Sequence, residues 1–445
     1  MKRLLILNAT LVNEGRTWEA DVAIQNGRIE HIGSGLKPAQ DDQVIDAAGK
    51  LLLPGMIDDQ VHFREPGLTH KGDIATESRA AVAGGITSYM EMPNVNPPTL
   101  NAENLEAKYQ LAAQKSLANH AFYLGASNDN LDDIKALDPR AACGVKIFMG
   151  ASTGNMLVDD PKILEGIFAH SPVLIATHCE DTPTILANEA RYKQQFGDKL
   201  DVEYHPLIRS EEACYKSSLL AVDLARRHGA KLHVLHLTTA KELSLFSKGE
   251  VGKKQITVEA CVHHLFFNQN DYAAKGNFIK CNPSIKTPAD QAALIRAVDD
   301  DLIDIVATDH APHTLEEKQR PYLQAPSGLP LVQYALLSML EHYFDGRFSL
   351  EKIVQKTSHA PALRFDVRER GFIREGWWAD LVLVDPRRST QVERAAVLSK
   401  CGWSPFEGYT FRSSIDTTLV NGRIVYRNGE IDPAAGLGKR LQFNR

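Results

Sequence analysis

The chain has few cysteines, and their spacing shows no pairs. Six occur among 445 residues, with no C-x-x-C pattern: Cys143, Cys179, Cys214, Cys261, Cys281 and Cys401. Scattered cysteines argue against a disulfide framework of the kind that small secreted proteins use. The cysteine content therefore predicts a cytoplasmic protein.

Long apolar and long basic runs are also missing. The longest apolar-rich segment, LPLVQYALLSML at 329–340, is too short and too polar to cross a bilayer. The first residues, MKRLLILNATLV, have a basic tip, but no small-residue cleavage pattern follows them, so we predict a strand and not a signal peptide. The net charge is −6, and lysine and arginine do not cluster. We therefore expect small molecules or proteins as partners, and neither nucleic acid nor membrane.

Both ends of the chain have the patterns of β-structure. Residues 21–33, DVAIQNGRIEHIG, place Asn-Gly between two alternating runs, which is a strong hairpin signal. Residues 417–431 contain Asn-Gly twice, and residues 379–385 predict another short strand. The chain is too long for one average domain, so it suits two domains, or one large barrel with an accessory part. We predict one small β-sandwich domain built from both ends, although two unrelated β caps fit the same pattern.

The middle of the chain alternates strand and helix patterns. Helical stretches such as NAENLEAKYQLAAQKSLA separate eight candidate strands: 51–58, 86–94, 120–126, 143–150, 172–179, 231–238, 255–262 and 304–309. Eight such repeats predict an α/β fold of the (β/α)8 barrel type. An open doubly wound sheet is the alternative, but no G-x-G-x-x-G follows an early strand, which disfavours a dinucleotide-binding fold.

Polar residues follow the ends of these candidate strands, where a (β/α)8 barrel carries its active site. They are His62, Arg64, Asn94, Lys146, His178, His236 and Asp309. The chain has 16 histidines, and a single histidine is more often surface or core filler than a metal ligand. Their joint placement at the ends of different strands predicts a metal site. Gln60 and His62 alternate at the end of the first strand, so the pattern is one residue short of a His-x-His clamp.

Lys146 is an unusual residue for a metal site, because an ammonium group repels a cation. A neutral lysine can add carbon dioxide to form a carbamate, which is a carboxylate on a long stem that can bridge two divalent ions. Burial among cations favours the neutral amine that this reaction needs. On the sequence alone, the simpler interpretation is a lysine whose stem packs and whose ammonium group meets a carboxylate.

These motifs together resemble the amidohydrolase superfamily and, within it, the class I dihydroorotases. The segments that carry the resemblance are 54–67 (PGMIDDQVHFREPG), 91–94 (EMPN), 144–150 (GVKIFMG), 177–181 (THCED), 233–240 (HVLHLTTA), 280–286 (KCNPSIK), 307–314 (ATDHAPHT), 325–332 (APSGLPLV) and 404–411 (SPFEGYTF). The resemblance covers nearly the whole chain. It implies a barrel at 55–370 and a β-sandwich formed by 1–54 and 371–445. Arg64, two residues after His62, and the MPN segment favour dihydroorotases over hydantoinases or allantoinases.

The resemblance also implies a role for each residue of the site. The metal ligands would be His62, Lys146 as a carbamate, His178, His236 and Asp309, with zinc the expected ion and one or two ions per subunit. The substrate carboxylate would contact Arg64, Asn94 and His313, and the ring amide would contact Asn282, Ser327 and Gly328. Asp309 would be the catalytic acid and base. Gln60 departs from the histidine of the family pattern, so it would be a weak ligand or would bond only to a water on the metal.

The activity that the resemblance implies is the reversible hydrolysis of dihydroorotate to N-carbamoyl-L-aspartate, in pyrimidine biosynthesis. Two alternatives remain open. One is a hydantoinase-like or allantoinase-like enzyme that acts on another cyclic amide. The other is a non-catalytic homologue that serves as a scaffold for aspartate transcarbamoylase, for which Gln60 is the one supporting feature. A homodimer is an expectation from the family, and residues 311–328 are either a closing loop or a passive one.

Overall fold

The computed structural model of the protein describes residues 2–150, 156–432, 434 and 436–445. The strands within these residues are β1 (Leu4–Asn13), β2 (Arg16–Gln25), β3 (Arg28–Gly33), β4 (Gln43–Asp46), β5 (Leu51–Pro54), β6 (Met56–Val61), β7 (Ile86–Glu91), β8 (Asn119–Phe122), β9 (Leu124–Gly125), β10 (Val145–Phe148), β11 (Ile175–His178), β12 (Leu232–Val234), β13 (Ile256–Cys261), β14 (Ile305–Ala307), β15 (Leu381–Asp385), β16 (Thr390–Gln391), β17 (Thr410–Phe411), β18 (Ser414–Val420), β19 (Arg423–Arg427) and β20 (Glu430–Ile431).

The α-helices lie mostly between the central strands. They are α1 (Ile74–Ala83), α2 (Ala102–Lys115), α3 (Leu131–Lys135), α4 (Pro161–His170), α5 (Thr182–Phe196), α6 (His205–Ile208), α7 (Glu211–His228), α8 (Val262–Phe266), α9 (Tyr272–Lys275), α10 (Pro288–Asp299), α11 (Leu315–Lys318), α12 (Ala335–Phe344), α13 (Leu350–Val354) and α14 (Ala360–Arg364). In the described part of the chain, no helix combines the length and the apolar character that a bilayer crossing requires.

Helix α7 shows how local sequence sets these boundaries. Ser210 precedes the helix, and its side chain accepts a hydrogen bond from the Ala213 N–H, which caps the first turn. Two glutamates lie in the first turn and two arginines and a histidine in the last, so the charges complement the helix dipole. Gly229 ends the helix with a left-handed backbone (φ 68°), a conformation that glycine adopts without strain.

Eight parallel strands form a closed barrel in the middle of the chain. β6, β7 and β8 pair in order, and β9 to β14 continue the order, with β8 and β9 together making the third strand. A parallel bridge between Val61 and His310 closes the barrel, where the His62 N–H donates to the His310 carbonyl at 2.7 Å. The predicted (β/α)8 barrel is confirmed, and the open-sheet alternative is wrong.

Strands from both chain ends join in one nine-stranded sheet, so the prediction that both ends build a common β-structure is confirmed. β15 pairs with β5 on one side and with β18 on the other, so the carboxyl end of the chain completes a sheet that the amino end begins. The predicted Asn-Gly turns link β2 to β3 and β18 to β19, with positive φ angles of 53° and 84° at Asn26 and Gly27. Two unrelated β caps are therefore excluded.

The predicted first barrel strand, 51–58, is in fact two strands. Residues Leu51–Pro54 belong to the nine-stranded sheet, where they pair with β1 and β15, and the barrel strand begins at Met56. Gly55 separates them at a close approach to the second barrel strand, because a Cβ atom at this position would lie 2.2 Å from the Thr87 side chain. The apolar residues continue through both strands, so the sequence pattern does not reveal this break. The domain limits of 1–54, 55–370 and 371–445 stay a prediction.

A buried polar network joins the barrel to the nine-stranded sheet. Arg370 pairs with Asp380 and donates to Asn421 Oδ1 at 2.9 Å. Asn119, on barrel strand β8, donates to Asp380 at 3.1 Å and accepts from the Asn421 amide at 2.9 Å. Buried polar groups are costly unless they are paired, so this network couples the stability of the two parts.

Candidate active site

A cavity of about 250 Å³ opens where the barrel strands end. Its lining contains every residue that the sequence predicts for the site: Gln60, His62, Arg64, Asn94, Lys146, His178, His236, Asn282, Asp309, His313, Ser327 and Gly328. Phe148, Ala311 and Pro326 complete the wall. The structure brings the predicted residues together, and their individual roles stay predictions.

His62 and Asp309 form one side of the predicted metal site. His62 Nε2 lies 3.1 Å from Asp309 Oδ1, and His62 Nδ1 lies 2.8 Å from Asn94 Oδ1. A proton on Nδ1 satisfies the Asn94 contact and leaves a lone pair on Nε2 for a ligand. Gln60 is also tied to this side, because its Nε2 donates to Asp309 Oδ1 at 3.1 Å. The amide oxygen of Gln60 faces away, 3.7 Å from the Cys261 sulfur.

His178 and His236 form the other side. Nδ1 of His178 and Nε2 of His236 lie 2.9 Å apart, so at least one of them presents a lone pair to the other. His178 Nε2 donates to Glu180 Oε2 at 2.8 Å, and Glu180 also pairs with Arg209. Burial alone would raise the pKa of Glu180, but Arg209 and His178 lower it to about 2. Glu180 is thus a fixed anion that orients the His178 ring.

Lys146 lies on β10, next to the strand that carries His178, with 1% of its surface exposed. Its Nζ lies 4.6 Å from the centre of the Phe148 ring. Burial lowers the pKa of Lys146 to about 8, against the attraction of Asp309 and Glu259. A larger fraction of the side chain is therefore the neutral amine than in an ordinary lysine, which suits the predicted reaction with carbon dioxide.

The donor set fits a divalent metal of the zinc class. Burial lowers the pKa values of His62, His178 and His236, so each ring is the neutral imidazole that binds a metal. His236 Nδ1 is fully buried and has no hydrogen-bond partner among the described residues. A buried nitrogen without a partner is costly in an empty site and is satisfied by a ligand.

Three site residues have positive backbone φ angles, which residues other than glycine adopt rarely. The φ angles of Arg64, His236 and Asp309 are 72°, 38° and 50°. Buried carboxylates hold the chain beside each of them. Glu91 accepts from the Phe63 N–H at 2.9 Å, Glu259 accepts from the His236 N–H at 3.1 Å, and Asp58 accepts from the Thr308 N–H at 3.2 Å.

Sequence reasoning missed these three carboxylates. An acidic residue within an otherwise apolar strand is the signal that could have found them, since such a group needs a buried donor. Asp58, Glu91 and Glu259 are each completely buried on a barrel strand. They accept hydrogen bonds from the backbone at the strand ends, and none of them lines the cavity.

Arg64 gives one part of the cavity wall a positive character, and His313 lies beside it. Arg64 Nη2 lies 3.0 Å from His313 Nε2, and Arg64 Nε donates to the Pro312 carbonyl at 3.1 Å. Lys71, which sequence reasoning also missed, lies 3.0 Å from His313 Nδ1 and 3.1 Å from Glu317. Arg64 is 7% exposed and buried too deeply to be solvated freely, so an anion in the cavity would find a strong partner there.

Asn282 and the segment 326–328 form the remaining wall. His205, which the sequence analysis did not single out, supports this wall: its Nε2 lies 3.1 Å from Asn282 Oδ1, and its Nδ1 lies 2.9 Å from the Tyr322 hydroxyl. The Gly328 N–H already donates to the Lys280 carbonyl at 2.9 Å. Of the two backbone positions predicted to bind the ring amide, Gly328 can thus contribute its carbonyl but not its N–H.

The comparisons with known proteins agree with this geometry. Residues 51–425 match the model of the amidohydrolase family. The chain belongs to the amidohydrolase family. Among its relatives, an allantoinase of Bacillus velezensis is 33% identical over 99% of this chain and 97% of its own length. A dihydroorotase of Methanosarcina mazei is also 33% identical, over 99% of this chain and 98% of its own length.

A solved structure shares this fold over nearly the whole length of the protein. The L-hydantoinase (dihydropyrimidinase) of Arthrobacter aurescens has a TM-score of 0.94 and 27% identity, covering 99% of this chain and all of its own. The resemblance to the amidohydrolase superfamily is thus confirmed. Enzymes of this family are generally metal-dependent, in agreement with the donor set of the cavity. The relatives include both allantoinases and dihydroorotases, so family membership does not identify the substrate.

Proposed function

We propose that the protein is a dihydroorotase, which interconverts dihydroorotate and N-carbamoyl-L-aspartate in pyrimidine biosynthesis. The observation that carries this proposal is the pair Arg64 and His313 in the wall of the same cavity as the predicted metal ligands. Dihydroorotate carries a carboxylate beside its ring, and a guanidinium fork matches a carboxylate in shape and charge. A neutral cyclic amide would leave the buried Arg64 without an anion, which is unfavourable.

The binding step follows from these positions. Arg64, His313 and the amide of Asn94 hold the carboxylate, while Asn282, the Ser327 backbone and the Gly328 carbonyl contact the ring amide. Asn94 also bonds to His62, so the contact that orients the carboxylate also holds a metal ligand in place. Fixing the ring in this way converts the attack of water into a step with little entropic cost.

The chemical step needs a group that moves a proton. Asp309 borders the cavity and lies within hydrogen-bond distance of His62 and Gln60. In the hydrolytic direction it takes the proton of the attacking water and passes it to the ring nitrogen as the amide bond breaks. In the reverse direction it removes the proton from the carbamoyl nitrogen as the ring closes.

One or two zinc ions are the proposed cofactor. His62 and Asp309 would hold one ion, His178 and His236 the other, and Lys146 as a carbamate would bridge them. A bound zinc ion lowers the pKa of water and polarises a carbonyl group. Of its two predicted roles, Gln60 keeps the outer one in this proposal, because its Nε2 donates to Asp309 and its Oε1 is turned toward Cys261.

An allantoinase or hydantoinase activity is the second candidate. It is favoured by the equal identity of an allantoinase and a dihydroorotase relative, and by the TM-score of 0.94 with an L-hydantoinase. A homodimer and a scaffold role beside aspartate transcarbamoylase have no supporting contact in the described residues. These two expectations and the cytoplasmic location stay predictions.

Turnover of three cyclic amides distinguishes the candidates. The zinc-loaded protein is given dihydroorotate, allantoin and hydantoin at equal concentrations, and the ring-opened products are quantified. We expect N-carbamoyl-L-aspartate as the main product. Turnover of allantoin or hydantoin with dihydroorotate untouched would overturn the proposal, and no turnover of any of the three at full metal content would favour the scaffold.

A further inference from the structure

A second group of metal-type side chains lies behind the cavity wall. Cys261 ends β13, and His263 and His264 follow it in α8. One ligand atom from each residue lies within 4.8 Å of the other two, and all three side chains are buried. None of them belongs to the predicted catalytic ligands, and none lines the cavity. We call this group the Cys-His-His cluster.

The nitrogen atoms of the cluster lack the partners that buried nitrogens require. Neither ring nitrogen of His263 has a hydrogen-bond partner among the described residues, and the same holds for His264 Nδ1. His264 Nε2 lies 3.1 Å from the Pro283 carbonyl, so it carries the proton and Nδ1 carries the lone pair. Leaving such buried groups unsatisfied is costly, so the arrangement calls for a ligand.

Gln60 supplies a fourth donor. Its Nε2 donates to Asp309 at 3.1 Å, and this contact turns its Oε1 toward Cys261, 3.7 Å from the sulfur. A cysteine sulfur, two imidazole nitrogens and an amide oxygen are a mixed soft and borderline donor set, which zinc accepts in tetrahedral geometry. The glutamine that weakens the His-x-His pattern of the catalytic site is thus placed to serve a different ion.

Acidic side chains surround the cluster. Glu259 Oε1 lies 3.8 Å from the Cys261 sulfur, and Asp309, Asp58 and Asp59 add to the same field. This field opposes a bare thiolate and attracts a cation. A divalent ion would compensate the thiolate and those carboxyl groups that are ionised.

We propose that Cys261, His263 and His264 form a binding site for a zinc-class divalent cation, with the Gln60 amide oxygen as the fourth ligand. When the ion binds, the Cys261 thiol loses its proton to solvent and a sulfur–metal bond forms, while the two neutral imidazoles donate lone pairs; nothing is oxidised or reduced. The ligand atoms must approach to about 3.3–3.6 Å from one another to give tetrahedral bonds of about 2.0–2.3 Å. The bound ion would fix Gln60 and, through it, the position of Asp309.

Cobalt(II) tests this site separately from the catalytic one. Cobalt takes the place of zinc, and a cobalt–thiolate bond gives a charge-transfer absorption in the near ultraviolet that nitrogen and oxygen ligands do not give. The predicted catalytic ligands include no sulfur, so this band separates thiolate coordination from binding at the catalytic site. The metal-free protein is titrated with cobalt, and the band and the bound cobalt per chain are both measured.

We expect the band in the natural protein. The Cys261→Ser variant should lose the band and about one equivalent of bound cobalt. Cys281→Ser is the matched control, since Cys281 is the other buried thiol near His264, at 3.8 Å, and its variant should keep the band. Lys146→Ala should keep the band while it loses metal from the catalytic site. His263→Asn should lose the band with the thiol intact, which guards against a misfolded Cys261 variant.

Several results would overturn the proposal. One is a natural protein that binds cobalt without the thiolate band, which requires no variant to interpret. Another is a band that survives in Cys261→Ser or in His263→Asn, or that disappears in Cys281→Ser. None of these readouts depends on turnover, so a failure of the proposed dihydroorotase activity would leave this test unaffected.

Discussion

At the scale of single residues, a few side chains decide which ligand the cavity accepts. Arg64 presents positive charge with His313 beside it, and His62, His178, His236 and Asp309 present metal donors within the same 250 Å³. Lys146 lies in the same cavity, on the strand next to that of His178, and the proposed carbamate would bridge the two metal positions. Removing one of these groups should separate metal binding from anion binding, because different side chains carry them.

Lys146→Ala tests the carbamate. The variant should lose bound metal, and its kcat/KM should fall by about 100-fold or more, as when one preorganised electrostatic group is removed. A short carboxylic acid added to the solution should restore part of the activity, since it can occupy the bridging position. Lys162→Ala, at an exposed lysine on α4, is the control. An alanine variant with full metal content and full activity would rule out the bridge.

Gln60→His tests the role of the residue that departs from the family pattern. Imidazole is a better zinc ligand than an amide oxygen, so the variant should hold the ion at His62 and Asp309 more firmly. Metal per chain is measured against chelator concentration, with Gln60→Asn as the variant that keeps an amide. Identical chelation curves for the natural protein and the histidine variant would show that position 60 takes no part in holding this ion.

At the scale of elements, two buried lysines anchor the loop 311–328 to the cavity wall. Lys318, which is 1% exposed, donates to the carbonyl groups of Lys280, Pro326 and Gly328 at 3.1, 3.0 and 3.0 Å. Lys280 donates to the carbonyls of Tyr322 and Ala325 at 2.6 Å each. Two buried lysines thus replace the hydrogen bonds that a regular strand would supply, and they hold the segment 326–328 against the cavity.

Lys318→Met tests this anchor. The substitution keeps the length of the side chain but removes the donor to the Pro326 and Gly328 carbonyls, while the Lys280 carbonyl keeps the Gly328 N–H; this should cost about 1–3 kcal/mol of stability. We expect a lower urea midpoint and a raised KM for the substrate, with the metal content unchanged. Lys248→Met, at an exposed lysine whose side chain is 59% accessible, should change stability by about 0.5 kcal/mol or less. Equal effects of the two substitutions would mean that the loop does not need this anchor.

Sequence patterns predicted the elements better than their boundaries. Alternation and Asn-Gly turns were enough for the eight strands and both hairpins, because these signals are local. The division at Gly55 was not predictable, since it depends on Thr87 from the next strand. The positions of His205, Lys71 and Glu259 were missed for the same reason: each acts on a partner that is distant in the sequence, at Asn282, His313 and His236.

At the scale of the whole molecule, the buried network around Arg370 links the barrel to the nine-stranded sheet. Arg370 is 3% exposed, and its pair with Asp380 contacts Asn119 on the barrel and Asn421 on the sheet. Since the network is buried, its loss should destabilise the barrel and the nine-stranded sheet together.

Arg370→Met tests this coupling. Removing one partner of a buried ion pair leaves an uncompensated charge and should cost about 3–5 kcal/mol. We expect the urea midpoint to fall by the same amount in far-ultraviolet circular dichroism and in tryptophan fluorescence. Asp380→Asn added to this variant should recover part of the loss, and Arg394→Met, at a side chain that is 54% accessible, is the control. Two separate transitions, or no change, would contradict the coupling.

The central claim is that this cavity selects a cyclic amide with a carboxylate beside the ring. Its most direct test is the ratio of kcat/KM for dihydroorotate to kcat/KM for dihydrouracil, which has the same ring without the carboxylate. A charge-assisted bond to Arg64 is worth about 1.5–3 kcal/mol, and with His313 beside it we predict a ratio of about 100 or more. A ratio of one or less, in a protein with its full metal content, would contradict the account.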